Sequence, residues 1–291
     1  MLKSIQSLRN PRAGEALGFR YLGTNAKQGF PPSRRERLSM PTEQQIAAVV
    51  GMLAHAAREF GITDAFVVGG YPRNIAMGLP MSEVHDLDVA SGTPEHAAQL
   101  AGFVAEESAA EEPEIKHRTM TITLQLDGVE VDFQGPSSHS DVLPYLHMWG
   151  VEATPIALNV FDRDFTINSL AIPIGTEDIL DLTGRGLEDI GARRIASITP
   201  ASEVVPRNPL MITRAVKFSA KFGFDIDGEL WEAMKDNVEA LRKRISPERL
   251  AIEAEVLSKQ DTSAMLKELG LSFLSSEEWI EAGERIEERG G

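Results

Sequence analysis

Two glycines at the end of an apolar run, followed by two aspartates one residue apart, limit most strongly what this chain can fold into. They lie in the stretch VVGGYPRNIAMGLPMSEVHDLDVAS, residues 67–91. The apolar run predicts a short buried strand ending in Gly69 and Gly70, and RNIAMGL predicts a helix directly after it. HDLDVAS alternates charged and apolar residues, which predicts a half-buried strand with Asp86 and Asp88 on one face. A tight backbone turn therefore stands close to a pair of carboxylates.

Composition narrows the class of protein and the kind of metal site. The chain has 291 residues, long enough for two domains, and its 42% hydrophobic and 25% charged content is that of a globular protein. It has no apolar run of about 18 residues, so the sequence predicts no membrane span. It also has no cysteine. A bound metal would therefore use Asp, Glu or His ligands, which favours Mg²⁺ or Mn²⁺ over structural zinc.

Charge is distributed unevenly along the chain. Residues 1–38 contain eight Lys or Arg and two acids, a net charge of +6, so the total of −15 leaves −21 for residues 39–291. This predicts a basic N-terminal arm, residues 1–40, that contacts RNA phosphates or a partner's acidic face. An ordinary solvated leader is the alternative. An organelle transit peptide is also compatible with the scarcity of acids; otherwise we expect a cytoplasmic protein.

Periodicity divides the rest of the chain into two parts. Residues 41–60 predict an amphipathic helix with a Thr cap, EHAAQLAGFVAEE predicts another helix, and HRTMTITLQLDGVEVDFQG predicts a hairpin. Asp127 and Gly128 form its predicted turn, and Glu130 and Asp132 share one face of its second arm. Strand patterns end near residue 198, and only helical patterns follow, among them one helix over residues 228–244 and another that starts at Ser246-Pro247-Glu248 with Ser246 as its cap. We therefore predict an α+β domain over residues 41–198 and an all-helical domain over residues 199–291.

The carboxylates and glycines suit one type of chemistry. Two carboxylates on a strand, with a third from a neighbouring strand, can hold two divalent ions that orient a nucleoside triphosphate for in-line attack by a hydroxyl. Backbone N–H groups of Gly69 and Gly70 can approach phosphate oxygens, and Arg73 adds a cation. Gly-Gly alone is typical of any turn and Asp-x-Asp of a solvated strand face. Their combination in this order is much less expected by chance than either part alone.

The same segment resembles a known family. It is similar to the head domain of the class II (bacterial-type) tRNA nucleotidyltransferase / poly(A) polymerase family, in the DNA polymerase β-like superfamily. The family pattern Gly-Gly-x-Val-Arg-Asp, Leu-Gly, Asp-x-Asp is matched in order by Gly69, Gly70, Arg73, Gly78, Asp86 and Asp88. Four later stretches also resemble family segments: RDFTINSLAI (163–172), DLTGRGLEDIGARRI (181–195), RNPLMITRAVKFSAKFGFDID (207–227) and RISPERL (244–250). The likeness runs from about residue 60 to about residue 275.

The resemblance implies a fold and a set of roles. The fold is α+β: a polymerase β-like nucleotidyltransferase head, with a small mixed sheet and helices, followed by an all-helical neck, the nucleotide lying between them. The implied metal ligands are Asp86 and Asp88, with Mg²⁺ or Mn²⁺ as the metal. Glu130 is the third acid by family position, and Asp132 is the alternative. The implied nucleotide-binding residues are Gly69, Gly70, Arg73, Arg163, Asp164 and Asn168.

Some residues depart from the family pattern. Asn74 replaces an Asp, and Asp162 precedes Arg163 where the family has paired arginines. The family's base-reading motif, Glu-Asp-x-x-Arg, is here Arg207, Asn208 and Met211.

These changes bear on nucleotide choice. The Asn208 amide oxygen can accept a hydrogen bond, but Met211 cannot donate one. Arg207 or Arg214 is a candidate substitute. Because discrimination depends on such paired groups, we expect loosened nucleotide choice.

Three functions remain open at this point. The leading prediction is a metal-dependent, template-independent enzyme that transfers a nucleotide from ATP or CTP to an RNA 3′ end. The second keeps this chemistry with another acceptor, such as a protein or small-molecule hydroxyl. The third is a catalytically inactive family member that serves as an RNA-binding or structural protein.

Overall fold

The computed structural model describes residues 42–81, 84, 86–108, 110, 113–116, 120–126, 128–136 and 140–289. The predicted basic arm and Asp127 of the predicted turn lie outside these ranges. Within them, no helix combines the length and the apolar character needed to cross a bilayer.

The first half of the described chain mixes helices and strands. In chain order it contains α1 (Glu43–Phe60), β1 (Ala65–Val68), α2 (Gly70–Ala76), β2 (Asp86–Ser91), α3 (Pro94–Ser108), β3 (Glu114–Lys116), β4 (Thr121–Leu126), β5 (Val129–Gln134), α4 (Leu143–Met148), α5 (Pro155–Phe161), β6 (Leu170–Pro173), β7 (Leu180–Asp181), α6 (Gly186–Gly191) and β8 (Arg194–Ile195). Short 3₁₀ turns precede α4 and β6. Within the described residues of 42–134, each predicted helix and strand is present, although α2 begins at Gly70, before the predicted RNIAMGL segment, and β3 was not predicted.

A mixed sheet organises this half. Among the described residues, seven strands pair in the order β3-β4-β5-β2-β1-β6-β7, and β2 and β5 run parallel while the other neighbours are antiparallel. Helices α1 and α3 cover one face, where Leu53, Leu100 and Phe133 are fully buried. Helices α4 and α5 cover part of the other face with Leu146 and Phe161. The sheet is therefore packed on both sides.

The start of α1 follows the predicted cap. The Thr42 hydroxyl accepts a hydrogen bond from the Gln45 backbone N–H at 3.2 Å, and the Gln45 side-chain oxygen accepts from the Thr42 backbone N–H at 2.8 Å. This capping box satisfies two N–H groups that the first turn of a helix leaves without partners.

The second half of the chain is mostly helical. It contains α7 (Ala201–Arg207), α8 (Met211–Phe222), β9 (Asp225–Ile226), α9 (Gly228–Asp236), α10 (Val238–Arg244), α11 (Pro247–Ser258), α12 (Ser263–Glu268), a 3₁₀ turn (Ser272–Ser275) and α13 (Glu277–Arg289). Helix α11 begins as predicted, with Ser246 as its cap and Pro247 in its first turn. Helix α13, which was not predicted, crosses α11 closely at Gly283, where an added Cβ would lie 2.2 Å from the Ala251 carbonyl oxygen.

Two sequence expectations for this half were wrong. Strands do not end near residue 198, because β9 pairs in parallel with β8 after Gly223 turns the chain back in a left-handed conformation (φ +63°). The helix predicted over residues 228–244 is two helices, because the chain leaves helical geometry at Asn237.

One apolar core spans both halves. Phe165 and Ile167 from the first half pack in the same buried cluster as Val216, Leu230 and other residues of the helical half. The division at residues 198/199 stays a prediction, since the packing is continuous across it.

Candidate active site

Four carboxylates line one face of the sheet. Successive side chains of a strand point to opposite faces, so Asp86 and Asp88 lie on the same face of β2 while Leu87 between them is fully buried. Strand β5 runs parallel beside it, with Glu130 level with Asp86 and Asp132 level with Asp88. The predicted candidates for the metal ligands and the third acid are therefore neighbours on two adjacent strands.

Asp88 lies between opposite electrostatic influences. Its Oδ2 atom is 3.4 Å from Arg163 Nη1. Burial raises the pKa of the Asp88 carboxyl above its usual value; Arg163 opposes this rise, and Asp86 and Asp132 add to it. The site concentrates negative charge that a bound cation would neutralise.

The donor chemistry suits a hard divalent ion. Carboxylate oxygens are the ligands that Mg²⁺ and Mn²⁺ prefer. Among the described residues, no group of three or more His, Asp or Glu side chains is close enough to hold a metal on its own. One oxygen of Asp88 lies near Arg163, and one oxygen of Asp132 lies near Thr123 and Lys116.

Asp132 and Glu130 have different surroundings. Thr123 Oγ1 donates to Asp132 Oδ1 at 2.5 Å, and Lys116 Nζ lies 3.6 Å from the same oxygen. Glu130 accepts from Nε2 of the exposed Gln125 side chain at 2.5 Å. Of the two candidate third acids, Asp132 is the one level with Asp88.

The glycine turn lies directly against these groups. Gly69 has φ +76° and ψ −120°, a conformation that non-glycine residues rarely adopt. A Cβ at Gly69 would lie 2.5 Å from Arg163 Nη1 and 2.7 Å from Asp88 Oδ2. Only a glycine lets β1 pass into α2, which begins at Gly70, this close to both side chains.

Arg73 is buried between the two halves of the chain. Its Nη1 donates to Asn168 Oδ1 at 2.7 Å, and its Nε and Nη2 donate to Asn74 Oδ1 at 3.2 and 2.9 Å. Its guanidinium also lies over the rings of Phe218 and Phe222 on α8, 5.5 and 4.9 Å from their centroids. The side chain predicted to contact a triphosphate is thus packed against protein on several sides.

A polar network continues from Arg73 to the surface of α8. Asn168 Nδ2 donates to Asp164 Oδ1 at 3.1 Å. Arg214 Nη2 lies 2.7 Å from Asp164 Oδ2. The structure therefore brings together Arg73, Asp164, Asn168 and Arg214, four of the residues predicted for the nucleotide site.

The altered base-reading segment lies at the corner between α7 and α8. Asn208 is exposed and ends α7, whereas Met211 is fully buried in the core. Arg214 is half-exposed, one helical turn further along α8. Met211 therefore has a packing role, and Arg207, Asn208 and Arg214 are the polar residues that this segment presents.

The sequence analysis missed several supporting residues. Asn159 Oδ1 accepts from both Nε and Nη2 of Arg163 at 3.3 Å, and Thr123 orients Asp132. Asn159 precedes Arg163 by four residues, a spacing at which side chains on a helix meet. The sequence spacing could therefore have predicted this contact. Phe218 and Phe222 had the same spacing, but nothing in the sequence placed Arg73 over them.

Comparison with known proteins identifies the family of this chain. A profile of the poly(A) polymerase head domain matches residues 65–196. The CCA-adding enzyme of Streptococcus pneumoniae (strain ATCC BAA-255 / R6) is 30% identical over 229 residues, which cover 75% of this chain and 51% of that enzyme. The chain belongs to the tRNA nucleotidyltransferase / poly(A) polymerase family. It spans about half the length of the curated relatives that it matches.

Solved structures of the family share the fold. The Thermotoga maritima CCA-adding enzyme complexed with tRNA superposes with a TM-score of 0.63 at 21% identity, over 80% of this chain and 52% of that one. The Bacillus stearothermophilus CCA-adding enzyme in complex with CTP gives a TM-score of 0.61 at 22% identity, over 79% and 53%. The predicted fold class, a nucleotidyltransferase head followed by helices, is confirmed.

Proposed function

We propose that this chain is a metal-dependent, template-independent nucleotidyltransferase that transfers a nucleotide from ATP or CTP to the 3′ end of a tRNA-like RNA. The observation that carries this proposal is the arrangement of Asp86, Asp88 and Asp132 on adjacent parallel strands, directly against the Gly69 turn. Family membership supports the reaction type. A cytoplasmic location is the prediction that accompanies such a substrate.

Asp86 and Asp88 are the proposed ligands of Mg²⁺ or Mn²⁺, with Asp132 as the third carboxylate. When bound, the ion neutralises phosphate charge and favours loss of the proton from the attacking 3′ hydroxyl. The oxygen of that hydroxyl forms a bond to the α-phosphorus, and pyrophosphate leaves. Gly69 and Gly70 leave their backbone N–H groups free of Cβ obstruction for the triphosphate.

Cations and polar groups around the carboxylates would hold the nucleotide. Arg163, kept in place by Asn159, stands at Asp88 where phosphate charge would gather. Asp164 and Asn168 are proposed for the ribose side. Arg73 is proposed to support the triphosphate region from within, since its guanidinium hydrogen-bonds to Asn74 and Asn168.

Nucleotide choice is proposed to be looser than in a site with an acid and an arginine. The Asn208 amide offers both a donor and an acceptor, so it can pair with an exocyclic amine or with a carbonyl of the base. Buried Met211 offers neither. Arg214 is the proposed replacement donor, because it is half-exposed and held by Asp164.

The same features support a second candidate function. Arg73 is hydrogen-bonded to Asn168 and Met211 is buried, so neither side chain is presented to a nucleotide. This favours a family member that binds RNA without transfer, or one that modifies a different acceptor. The assay below separates transfer to tRNA from both of these alternatives.

A transfer assay tests the proposal. Each labelled nucleoside triphosphate is supplied separately with Mg²⁺ or Mn²⁺ and tRNA lacking its 3′ end, and the Asp86→Ala/Asp88→Ala variant is the matched control. We expect label in RNA with the wild type only. A folded wild type that labels no RNA with any nucleotide would contradict the proposed function.

Metal binding has a readout that does not depend on transfer. Mg²⁺ should raise the melting temperature of the wild type, because a ligand that binds only the folded state stabilises it. The Asp86→Ala variant should show no such rise. Equal behaviour of the two proteins would remove these carboxylates from the metal site.

The basic arm is a proposed RNA contact. Removing residues 1–38 should weaken RNA binding and flatten its dependence on salt, because fewer phosphate charges are neutralised. Fluorescence anisotropy with labelled tRNA between low and moderate salt measures both quantities. Unchanged affinity and slope would leave the arm without this role.

A further inference from the structure

The corner between α7 and α8 is held by a network that the catalytic chemistry does not use. Arg207 is the last residue of α7, and Asn208 follows it with φ −126° and ψ 80°. Helix α8 then begins at Met211, whose backbone N–H donates to the Asn208 carbonyl at 3.1 Å. The direction in which Asn208 points therefore depends on how this corner is fixed.

Arg207 ties the corner to the head. Its Nη2 donates to the hydroxyl of Tyr145 at 3.0 Å, and its Nη1 lies 3.7 Å from Asp141 Oδ2. Its Nε donates to the backbone carbonyl of Glu203 at 3.1 Å. Each of the three guanidinium nitrogens has a protein partner. Arg207 therefore stabilises the corner, a role we call a brace, and does not act as the replacement donor for a base.

Tyr145 makes this brace specific. The residue is 8% exposed and packs on the α4/α5 face of the sheet. Its hydroxyl donates to the Glu203 carboxylate while it accepts from Arg207. The hydroxyl thus has both a donor and an acceptor partner on α7, and it links α4 to α7.

The helical half holds the corner from the other side. Arg244, at the end of α10, donates from Nη1 to the Pro206 carbonyl and from Nη2 to the Arg207 carbonyl, the latter at 3.0 Å. These carbonyls belong to the last turn of α7, where a helix leaves its acceptors without intrahelical partners. Arg207 is thus held by two contacts: its side chain hydrogen-bonds to Tyr145, and its backbone carbonyl accepts from Arg244 on α10.

We propose that Arg207 is a positioning residue for nucleotide recognition: braced by Tyr145 and Arg244, it fixes the corner that presents Asn208 to the nucleobase. The inference rests on the proposed function of Asn208 as a base contact. It adds that Arg207, which stands where the family motif has an acid, maintains the site without touching the nucleotide.

Binding measurements test this without requiring transfer. The affinities of ATP, CTP, GTP, UTP and inorganic tripolyphosphate are measured by titration calorimetry in Mg²⁺ for the wild type, Tyr145→Phe and Arg207→Lys. Tyr145→Phe removes only the shared hydroxyl, and Arg207→Lys keeps the charge but not the three-way contact. Arg285→Lys, which alters an exposed pair with Glu281 on α13, is the control.

We expect both corner variants to weaken binding of the preferred nucleotide about tenfold, the effect of one lost hydrogen bond, and to leave tripolyphosphate binding unchanged. The control should change neither. A lower melting temperature with unchanged nucleotide affinity, or equal losses for nucleotide and tripolyphosphate, would overturn the inference.

The outcomes separate this inference from the proposed function. If the wild type binds nucleotides but transfers none to RNA, the transfer proposal fails. The positioning role of Arg207 is then still tested by the nucleotide affinities of the wild type and the two corner variants. If the wild type binds no nucleotide, both proposals fail.

Discussion

At the scale of single residues, the carboxylates of the site differ in what surrounds them. Asp132 is level with Asp88 and is held by Thr123, whereas Glu130 is level with exposed Asp86 and bonded to Gln125. An oriented carboxylate beside partly buried Asp88 is better placed to share an ion than one beside exposed Asp86. The sequence left the third acid open between the two residues, and strand register favours Asp132.

This difference predicts an order of effects. Asp132→Asn should lower kcat for nucleotide transfer on the order of a hundredfold, while Glu130→Gln should lower it less than about tenfold. Both substitutions keep the size of the side chain, so each is the control for the other. Single-turnover transfer rates measure the effect, and the reverse order would assign the role to Glu130.

Lys217 on α8 provides a pH prediction. Partial burial lowers the pKa of its ammonium group, and nearby Arg214 lowers it further; Glu253 opposes this. Between the lowered pKa and the usual value of 10.5, the unfolded chain binds more protons than the folded one, so this group's contribution to stability rises with pH. Below the lowered pKa, the buried charge costs stability.

Removing that charge should therefore stabilise the fold at neutral pH. Lys217→Met should raise the melting temperature at pH 7 by a few degrees, and its advantage over the wild type should shrink as the pH rises toward 10.5. Lys235→Met, on an exposed surface of α9, is the control and should have little effect. An advantage for Lys217→Met that is constant with pH would point to packing instead of charge.

At the scale of elements, the turn from β1 to α2 is the most constrained segment. Gly69 combines a positive φ with a side-chain position already filled by Arg163 and Asp88. Gly61 ends α1 with a similar φ of +64°, but nothing lies within 4 Å of its missing Cβ. A side chain at Gly61 would meet backbone strain alone, whereas a side chain at Gly69 would meet both backbone strain and steric overlap with Arg163 and Asp88.

Alanine at each position measures these costs. Gly69→Ala should lower the free energy of unfolding by about 2–4 kcal/mol, and Gly61→Ala by only about 1 kcal/mol. Urea unfolding of both variants tests the difference. Equal losses would mean that the turn yields locally and that the approach to Asp88 is not tight.

Elements with a clear period were predictable, and those fixed by distant contacts were not. Strand β1 is a short apolar run that ends in two glycines, and β2, β4 and β5 alternate apolar and polar residues, both of which the sequence shows directly. Strand β9 has two residues, too few for any period, and depends on pairing with β8 some 30 residues earlier. The burial of Arg73 and Met211 likewise depends on how α8 packs, which their local sequence does not encode.

At the scale of the whole molecule, the two halves share a core. Phe165 contacts Phe218 edge-on with ring centroids 5.8 Å apart, and Ile167 and Ile195 lie in the same cluster as the helices that follow. The polar network from Arg73 to Arg214 crosses the same junction. Neither half keeps its buried surface without the other.

This continuity predicts cooperative unfolding. Scanning calorimetry should show one transition with equal calorimetric and van't Hoff enthalpies, as expected when the halves do not unfold independently. Phe165→Leu should lower the melting temperature without splitting the transition. Two resolved transitions in the wild type would mean that the junction contributes little.

The shared core also limits how such proteins can exchange parts. A recombinant that joins the first 198 residues of this chain to the helices of a relative would place Phe165 and Ile167 against side chains that had adapted to other partners. Exchange at this boundary would preserve every motif of both parents and still lose the packing between them. A viable hybrid would have to carry the 165–167 segment and its α8 contacts together, so the unit of exchange is the junction and not the domain.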